Sequence, residues 1–367
     1  MKYLYYCNSP YQLFNIINLN WHRKYNSFEN IKNYESELII LNAFGKAEEM
    51  VEILNKDEMF SKVMISNRFK NEGFTHKLSS LLDVIFPSRF IYKSIESKKC
   101  IKRNYYDVLC MPKVSKLTLS FWLLNKKSHI ELYEEGFGTF CGSQHMCHEK
   151  GNHQKLYSFL NNGRQLGECF ERLYLNEKIL YLKEDVEKLV TIPKIDNKCL
   201  TRIQSLFKDV LFNDRNKKIY WMGQYINDNV HNITKNCLVK YQSEVLYCPH
   251  PRFKKERIKE FENFDNNNFW ELNISKIKNI NDVCIITIHS TAALSPKLLY
   301  DKEPYVIFTI NMAEDRYSMD NIMTYEQIER FRSTYTNPEK VMTPNNEEEL
   351  KECLEKYASK VGIENVI

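Results

Sequence analysis

The sequence predicts an α/β protein built from two Rossmann-like domains joined by a helical middle. Three observations lead there. The chain has 367 residues, too many for one small domain and suited to two. Short apolar runs alternate with segments of helical spacing in both the first and the last third of the chain. Polar and charged residues stand directly after several of those apolar runs, where parallel α/β sheets place their binding loops.

The elements follow in order. Lys2–Cys7 is an apolar run that predicts a buried strand. Asn8-Ser9-Pro10 then reads as a helix start, with a capping side chain before Pro in the first turn, and Tyr11–Ile17 has helical spacing. Glu37–Asn42, Val63–Ile65, Tyr105–Met111 and His129–Tyr133 predict further strands, and Lys46–Asn55 a helix. The middle of the chain is helical in pattern over Gln154–Asn161, Leu166–Tyr174 and Leu200–Phe212, with Thr191–Asn197 as a linker. Alternation then resumes with strands Lys218–Met222, Glu244–Cys248, Val283–Ile288 and Pro304–Ile310, a helix over Ala292–Tyr300, and an amphipathic last helix over Glu347–Lys360. This divides the chain into an N-terminal domain over 1–190, with a helical insertion at about 152–180, a C-terminal domain over 191–345, and a terminal helix over 346–367.

Composition narrows the function. Hydrophobic residues make up 43% and charged residues 27%, enough for a sizeable core and incompatible with a disordered chain. Lys and Arg number 52 against 47 Asp and Glu, a net charge of +5, which does not demand a nucleic-acid partner. The 11 cysteines form no Cys-x-x-Cys pair, and several sit inside apolar runs, so they read as buried thiols of a reducing compartment. The N-terminal apolar stretch is too short for a signal peptide, and no run approaches the roughly 18 residues of a spanning helix. The expectation is a cytoplasmic protein, in contact at most with the inner face of a membrane.

Five strand-end segments carry the candidate chemistry: Asn8-Ser9-Pro10-Tyr11, Glu134-Glu135-Gly136-Phe137-Gly138, Gly223-Gln224 with Asp228, His250-Pro251-Arg252 and His289-Ser290-Thr291. Adjacent carboxylates at Glu134 and Glu135 can raise one another's pKa and make a base; the same residues can form a solvated turn in which Gly136 takes a positive φ. His250, fixed by Pro251 and beside Arg252, can protonate or hold a phosphate, or belong to a basic surface loop. Ser290 and Thr291 open a helix whose N–H groups suit an anion, or serve as an ordinary cap. Asp228 lies in a turn-like Asn-Asp-Asn. The spacing of Gly136, Gly138 and Gly142 misses the dinucleotide fingerprint, and no phosphate-loop, hydrolase-elbow or zinc-protease motif occurs. Cys141, His145, Cys147 and His148 lack a zinc-ligand spacing. The absence of an Asp-x-Asp pair argues against a metal-held nucleotide diphosphate.

In order along the chain, Glu134-Glu135-Gly136, His250-Pro251 and Ser290-Thr291 resemble the acidic-acidic-Gly, His-Pro and Ser-Ser/Thr motifs shared by several bacterial sialyltransferase families. The opening Tyr6-Cys7-Asn8-Ser9-Pro10-Tyr11-Gln12-Leu13 and the extended His250-Pro251-Arg252 are most similar to glycosyltransferase family 52. The resemblance runs from residue 3 to about residue 310. It implies a GT-B-type fold, with two Rossmann-like domains facing a central cleft, and an inverting, metal-independent transfer of sialic acid from CMP-sialic acid to a galactose of lipooligosaccharide or capsule. Carried over, His250 faces the CMP phosphate as general acid, while Gly223, Gln224, Pro251, Arg252, Ser290 and Thr291 hold the donor. Asn8, Ser9, Tyr11, Gln12, Glu135 and Gly136 lie on the acceptor or sugar side. The base is Glu134 by analogy with related families and Asp228 by the better match within family 52; Asp228 is preferred. The helical middle corresponds to a segment that such proteins can exchange in a homodimer. The alternatives are a family 52-like transferase using another nucleotide sugar, and a non-catalytic sugar- or nucleotide-binding protein on the same scaffold. The donor nucleotide sugar and the glycan acceptor are the expected partners. No cofactor, metal or nucleic acid is expected.

Overall fold

The computed structural model describes residues 1–67, 91, 95, 103–112, 116–140, 170–182, 186–208, 216–224, 228–250, 257–264, 269–313 and 319–363. The expected helix over Gln154–Asn161, the Cys141–His148 cluster, Pro251 and Arg252 lie outside the described residues. The chain divides into two compact units, Met1–Arg202 and Ile203–Ile367.

The first unit holds a seven-stranded parallel sheet of β1 (Lys2–Cys7), β2 (Glu35–Leu41), β3 (Lys62–Ser66), β4 (Val108–Met111), β5 (His129–Tyr133), β6 (Arg172–Leu175) and β7 (Leu189–Thr191), ordered β3-β2-β1-β4-β5-β6-β7. β1 is central and pairs with β2 from Lys2 against Glu35 and with β4 from Tyr3 against Val108. Both faces of β1 are covered, which is why its sequence is a continuous apolar run and not an alternating one. Helix α1 (Pro10–Tyr25) buries Leu13, Phe14, Ile16, Ile17 and Leu19 in the unit's core. Helix α2 (Ala47–Asn55) connects β2 to β3, and α3 (Lys116–Leu124) connects β4 to β5.

The helical reading of Leu166–Tyr174 is corrected: Arg172–Leu175 is a strand, paired with β5 from Arg172 against Glu131 and with β7 from Leu173 against Leu189. The spacing of Leu166, Phe170 and Leu173 mimics a helix face, but a short strand buried on both sides carries no period of its own. Thr191, assigned to a linker, ends the last strand of this sheet. Helix α5 (Asn197–Leu206) follows, after the short α4 (Phe137–Phe140) earlier in the chain.

The second unit holds a six-stranded parallel sheet of β8 (Ile219–Met222), β9 (Val245–Cys248), β10 (Glu262–Asn263), β11 (Cys284–Thr287), β12 (Tyr305–Phe308) and β13 (Val341–Met342). Its order, β10-β9-β8-β11-β12-β13, is the strand order 3-2-1-4-5-6 of the doubly wound dinucleotide-binding fold. Helices α6 (Asp228–Leu238), α7 (Trp270–Ile274), α8 (Ser295–Tyr300), α9 (Met319–Ser333) and α10 (Glu347–Val361) complete it. Leu350, Leu354 and Tyr357 of α10 enter the same core as Ile219, Trp221, Val245 and Ile286 of the sheet. The Tyr357 hydroxyl donates to the Lys218 and Asp282 carbonyls at 2.7 and 2.9 Å, tying the terminal helix to the sheet. No helix among the described residues is long and apolar enough to cross a membrane. Cys7, Cys110, Cys199, Cys237, Cys248 and Cys284 are buried free thiols, and burial pushes the Cys110 and Cys284 thiols well up.

Candidate functional site

In each sheet the chain reverses its direction of winding beside the first strand, between β1 and β4 and between β8 and β11. The crevice outside the carboxyl ends of the strands at such a point is where doubly wound sheets bind ligands. The expected site residues that are described follow the carboxyl ends of strands or stand in the first turn of the helix after them.

In the first unit, Asn8 and Ser9 follow β1. Ser9 Oγ accepts the Gln12 N–H at 3.3 Å, and Gln12 Oε1 accepts the Asn8 N–H at 2.8 Å, a reciprocal cap that starts α1. Ser9 and Gln12 thus build the loop. Tyr11 points inward and donates its hydroxyl to Glu134 Oε1. Glu134 is fully buried; its Oε2 accepts the Asn176 N–H at 2.8 Å, and its carbonyl accepts from Asn15 Nδ2 at 3.1 Å. Asn176 Nδ2 in turn donates to Asn15 Oδ1 at 2.8 Å. Burial raises the Glu134 carboxyl to about 7, opposed by the hydrogen bonds from Tyr11 and Asn176. Glu135, half-buried, donates its N–H to Thr139 Oγ1 at 2.8 Å, and Gly136 has φ of +128°, the conformation that only glycine adopts without strain. The Glu-Glu-Gly turn is therefore held from both sides.

In the second unit the adjacent strands β9, β8 and β11 carry the candidate residues. Gly223 and Gln224 follow β8; the Gly223 N–H donates to the Cys248 carbonyl at 2.8 Å, and a Cβ at Gly223 would come within 2.8 Å of the Tyr247 ring. Gln224 Oε1 accepts two bonds from β11 and its loop, the Thr287 hydroxyl at 2.9 Å and the His289 N–H at 2.8 Å. Thr287 Oγ1 also accepts the Ser290 N–H at 3.2 Å, and Ser290 Oγ accepts the Ala292 N–H at 3.2 Å. Thr291 opens a three-residue 3₁₀ turn that leads into α8, so the expected single helix over Ala292–Tyr300 is broken at Leu294. His289 is largely buried, and burial lowers its pKa. His250, partly exposed, stands two residues past β9. Asp228 is exposed and opens α6, where a carboxylate also complements the helix dipole.

The structure thus joins Tyr11 to Glu134 and Gln224 to the Ser290 loop. His289, part of an expected segment, and Asn15, Asn176 and Thr287, which were not anticipated, complete these networks. Asn15 had a visible signal, since Tyr11, Asn15 and Asn18 form a polar stripe at helical spacing on a buried face of α1. Asn176 had none once β6 was read as helix. Among the described residues no group of three or more His, Cys, Asp or Glu is arranged to hold a metal ion.

Two Rossmann-like parallel α/β units, each with a switch point beside its first strand, define a GT-B-type, glycosyltransferase-like architecture. Solved structures share it. UDP-GlcNAc 2-epimerase from Methanocaldococcus jannaschii, in complex with UDP-GlcNAc and UDP, is 13% identical over 100% of this chain and 94% of its own, with a TM-score of 0.53. A putative UDP-N-acetylglucosamine 2-epimerase from Listeria monocytogenes is 11% identical over 98% of this chain and 88% of its own, TM-score 0.49. The spinosyn rhamnosyltransferase SpnG is 8% identical over 99% and 92%, TM-score 0.48. At such identities the likeness shows the fold alone. No family model matches the sequence, and a search of curated proteins finds no match.

Proposed function

We propose that the protein is a glycosyltransferase that takes a nucleotide-activated sugar at the second unit. The observation that carries this reading is the arrangement there: Gln224 clamped to Thr287 and His289, with the Ser290 turn and His250 following neighbouring strands of a 3-2-1-4-5-6 sheet and Asp228 opening the helix after β8. The leaving group of such a reaction is a nucleotide phosphate, whose growing negative charge suits N–H donors and a protonated imidazole. His250 is the proposed acid and Asp228, exposed and in the same unit, the proposed base. Glu134, enclosed by Tyr11 and Asn176, is proposed to hold the Glu-Glu-Gly turn in place.

For the donor, the reading best supported is a nucleotide sugar of the UDP type, because the epimerase of the same architecture holds UDP-GlcNAc and UDP. CMP-sialic acid is the second reading, favoured by the order of Glu134-Glu135-Gly136, His250-Pro251 and Ser290-Thr291. Donor hydrolysis and transfer to a galactoside acceptor, run with UDP-hexoses, UDP-N-acetylhexosamines and CMP-sialic acid in parallel, test both. UDP release supports the first reading and CMP release the second; release from none refutes the enzyme.

A further inference from the structure

The Gln224 side chain crosses the switch point of the second sheet. It leaves β8 and its carboxamide oxygen accepts from two donors on β11 and the following loop, the Thr287 hydroxyl at 2.9 Å and the His289 N–H at 2.8 Å. A backbone N–H can only donate, so the atom facing His289 must be the oxygen. The amide therefore has one orientation and not two. Its NH₂ group makes no hydrogen bond among the described residues, and Gln224 is partly exposed at the carboxyl end of its strand.

We infer that Gln224 works with its two ends divided: Oε1 fixes the β8–β11 junction, and Nε2 donates to a phosphate oxygen of the bound nucleotide. This rests on the nucleotide-sugar reading above and assigns one atom of that site. Three features favour a phosphate oxygen. The NH₂ group can only donate, and phosphate oxygens only accept, whereas a sugar hydroxyl would leave its own proton to be satisfied. Thr287, held by Gln224, also accepts the Ser290 N–H at 3.2 Å, so the amide is rigidly tied to the loop that faces the same crevice. And the oxygen is already engaged twice, so no rotation of the amide can present an acceptor to a different ligand without breaking both bonds.

Gln224→Glu separates the two roles. It keeps an acceptor for Thr287 and His289 and replaces the NH₂ donor with a carboxylate oxygen that repels phosphate. The expected result is a folded protein with a thermal midpoint close to wild type and at least tenfold weaker binding of UDP and CMP by calorimetry, against wild type in the same buffer. Gln224→Met, which loses both ends, should lower the thermal midpoint and weaken binding as well. A readout free of substitution is the Gln224 side-chain amide pair in a ¹⁵N–¹H spectrum, which should shift on addition of UDP or CMP. If wild type binds nucleotide and Gln224→Glu binds it equally well, with an unmoved amide pair, the assignment of Nε2 is wrong and the nucleotide-sugar reading survives. If wild type binds neither nucleotide, both fall.

Discussion

Glu134 follows β5 with each carboxylate oxygen engaged, by Tyr11 and by the Asn176 N–H at 2.8 Å, and with no exposed surface. Such a group organises its surroundings better than it exchanges protons with a substrate. Asp228 is exposed, and His250 partly so. His250→Ala is expected to lower kcat by about 10²–10⁴-fold, the usual worth of general-acid help, while leaving the fold intact. Asp228→Asn should lower kcat strongly with little change in nucleotide affinity, whereas Glu134→Gln, whose amide can donate to Tyr11 and accept from Asn176, should keep most activity. A dead Glu134→Gln beside a nearly normal Asp228→Asn would reverse the assignment of the base. A second buried carboxyl, Glu271 on α7, is raised by burial from 4.5 to about 7. Because the folded state holds this proton more tightly than the unfolded chain, Glu271 costs no stability below about 4.5, and its cost grows as pH rises to about 7 and is constant above. The full shift corresponds to about 3 kcal/mol. Glu271→Gln should therefore be more stable than wild type at pH 8 and indistinguishable from it near pH 4, measured by urea unfolding; equal stability at both pH values would exclude the strain.

At the scale of elements, the two switch-point loops are shaped by close packing and capping. β8 ends at Gly223 because the Tyr247 ring of the neighbouring strand occupies the space a side chain would need, within 2.8 Å of an ideal Cβ. Gly223→Ala should displace Tyr247 from its contact with Trp221, whose ring centroid lies 4.9 Å away, and destabilise the protein by about 1–3 kcal/mol, as overpacking does. Chemical denaturation measures this directly. The loss should extend to nucleotide binding, because Gln224 is the next residue. β1, α1, β8, β9, β11 and β12 were legible because continuous apolar runs end at polar residues with turn or cap chemistry, as at Cys7-Asn8-Ser9 and Thr287-Ile288-His289. β6, β10 and β13 were not. Glu262–Asn263 and Val341–Met342 are two-residue pairings whose strand character comes from the neighbour they bond to, and Arg172–Leu175 carried a competing helical spacing.

For the whole molecule, two parallel sheets of the same winding make two crevices, one per unit, and the nucleotide-sugar proposal assigns the donor to the second. The transfer is expected to proceed without a divalent ion, since the sequence holds no Asp-x-Asp pair. Activity in excess EDTA should equal that with Mg²⁺ or Mn²⁺; a large loss restored by either ion would contradict this. What the sequence by itself determined was local: the alternation of buried strands and helices, the strand-end positions of Ser9, Glu134, Gln224, His250 and Ser290, and the positive φ at Gly136, because each is written in short-range pattern and backbone sterics. Only the tertiary structure decided which of those residues meet. Tyr11 reaches Glu134 across 123 positions and Thr287 reaches Gln224 across 63, and such pairings depend on strand order, which a one-dimensional pattern does not encode. Burial then sets the chemistry: desolvation pushes Glu134 toward neutrality and leaves Asp228 in water, a difference that their identical functional groups conceal.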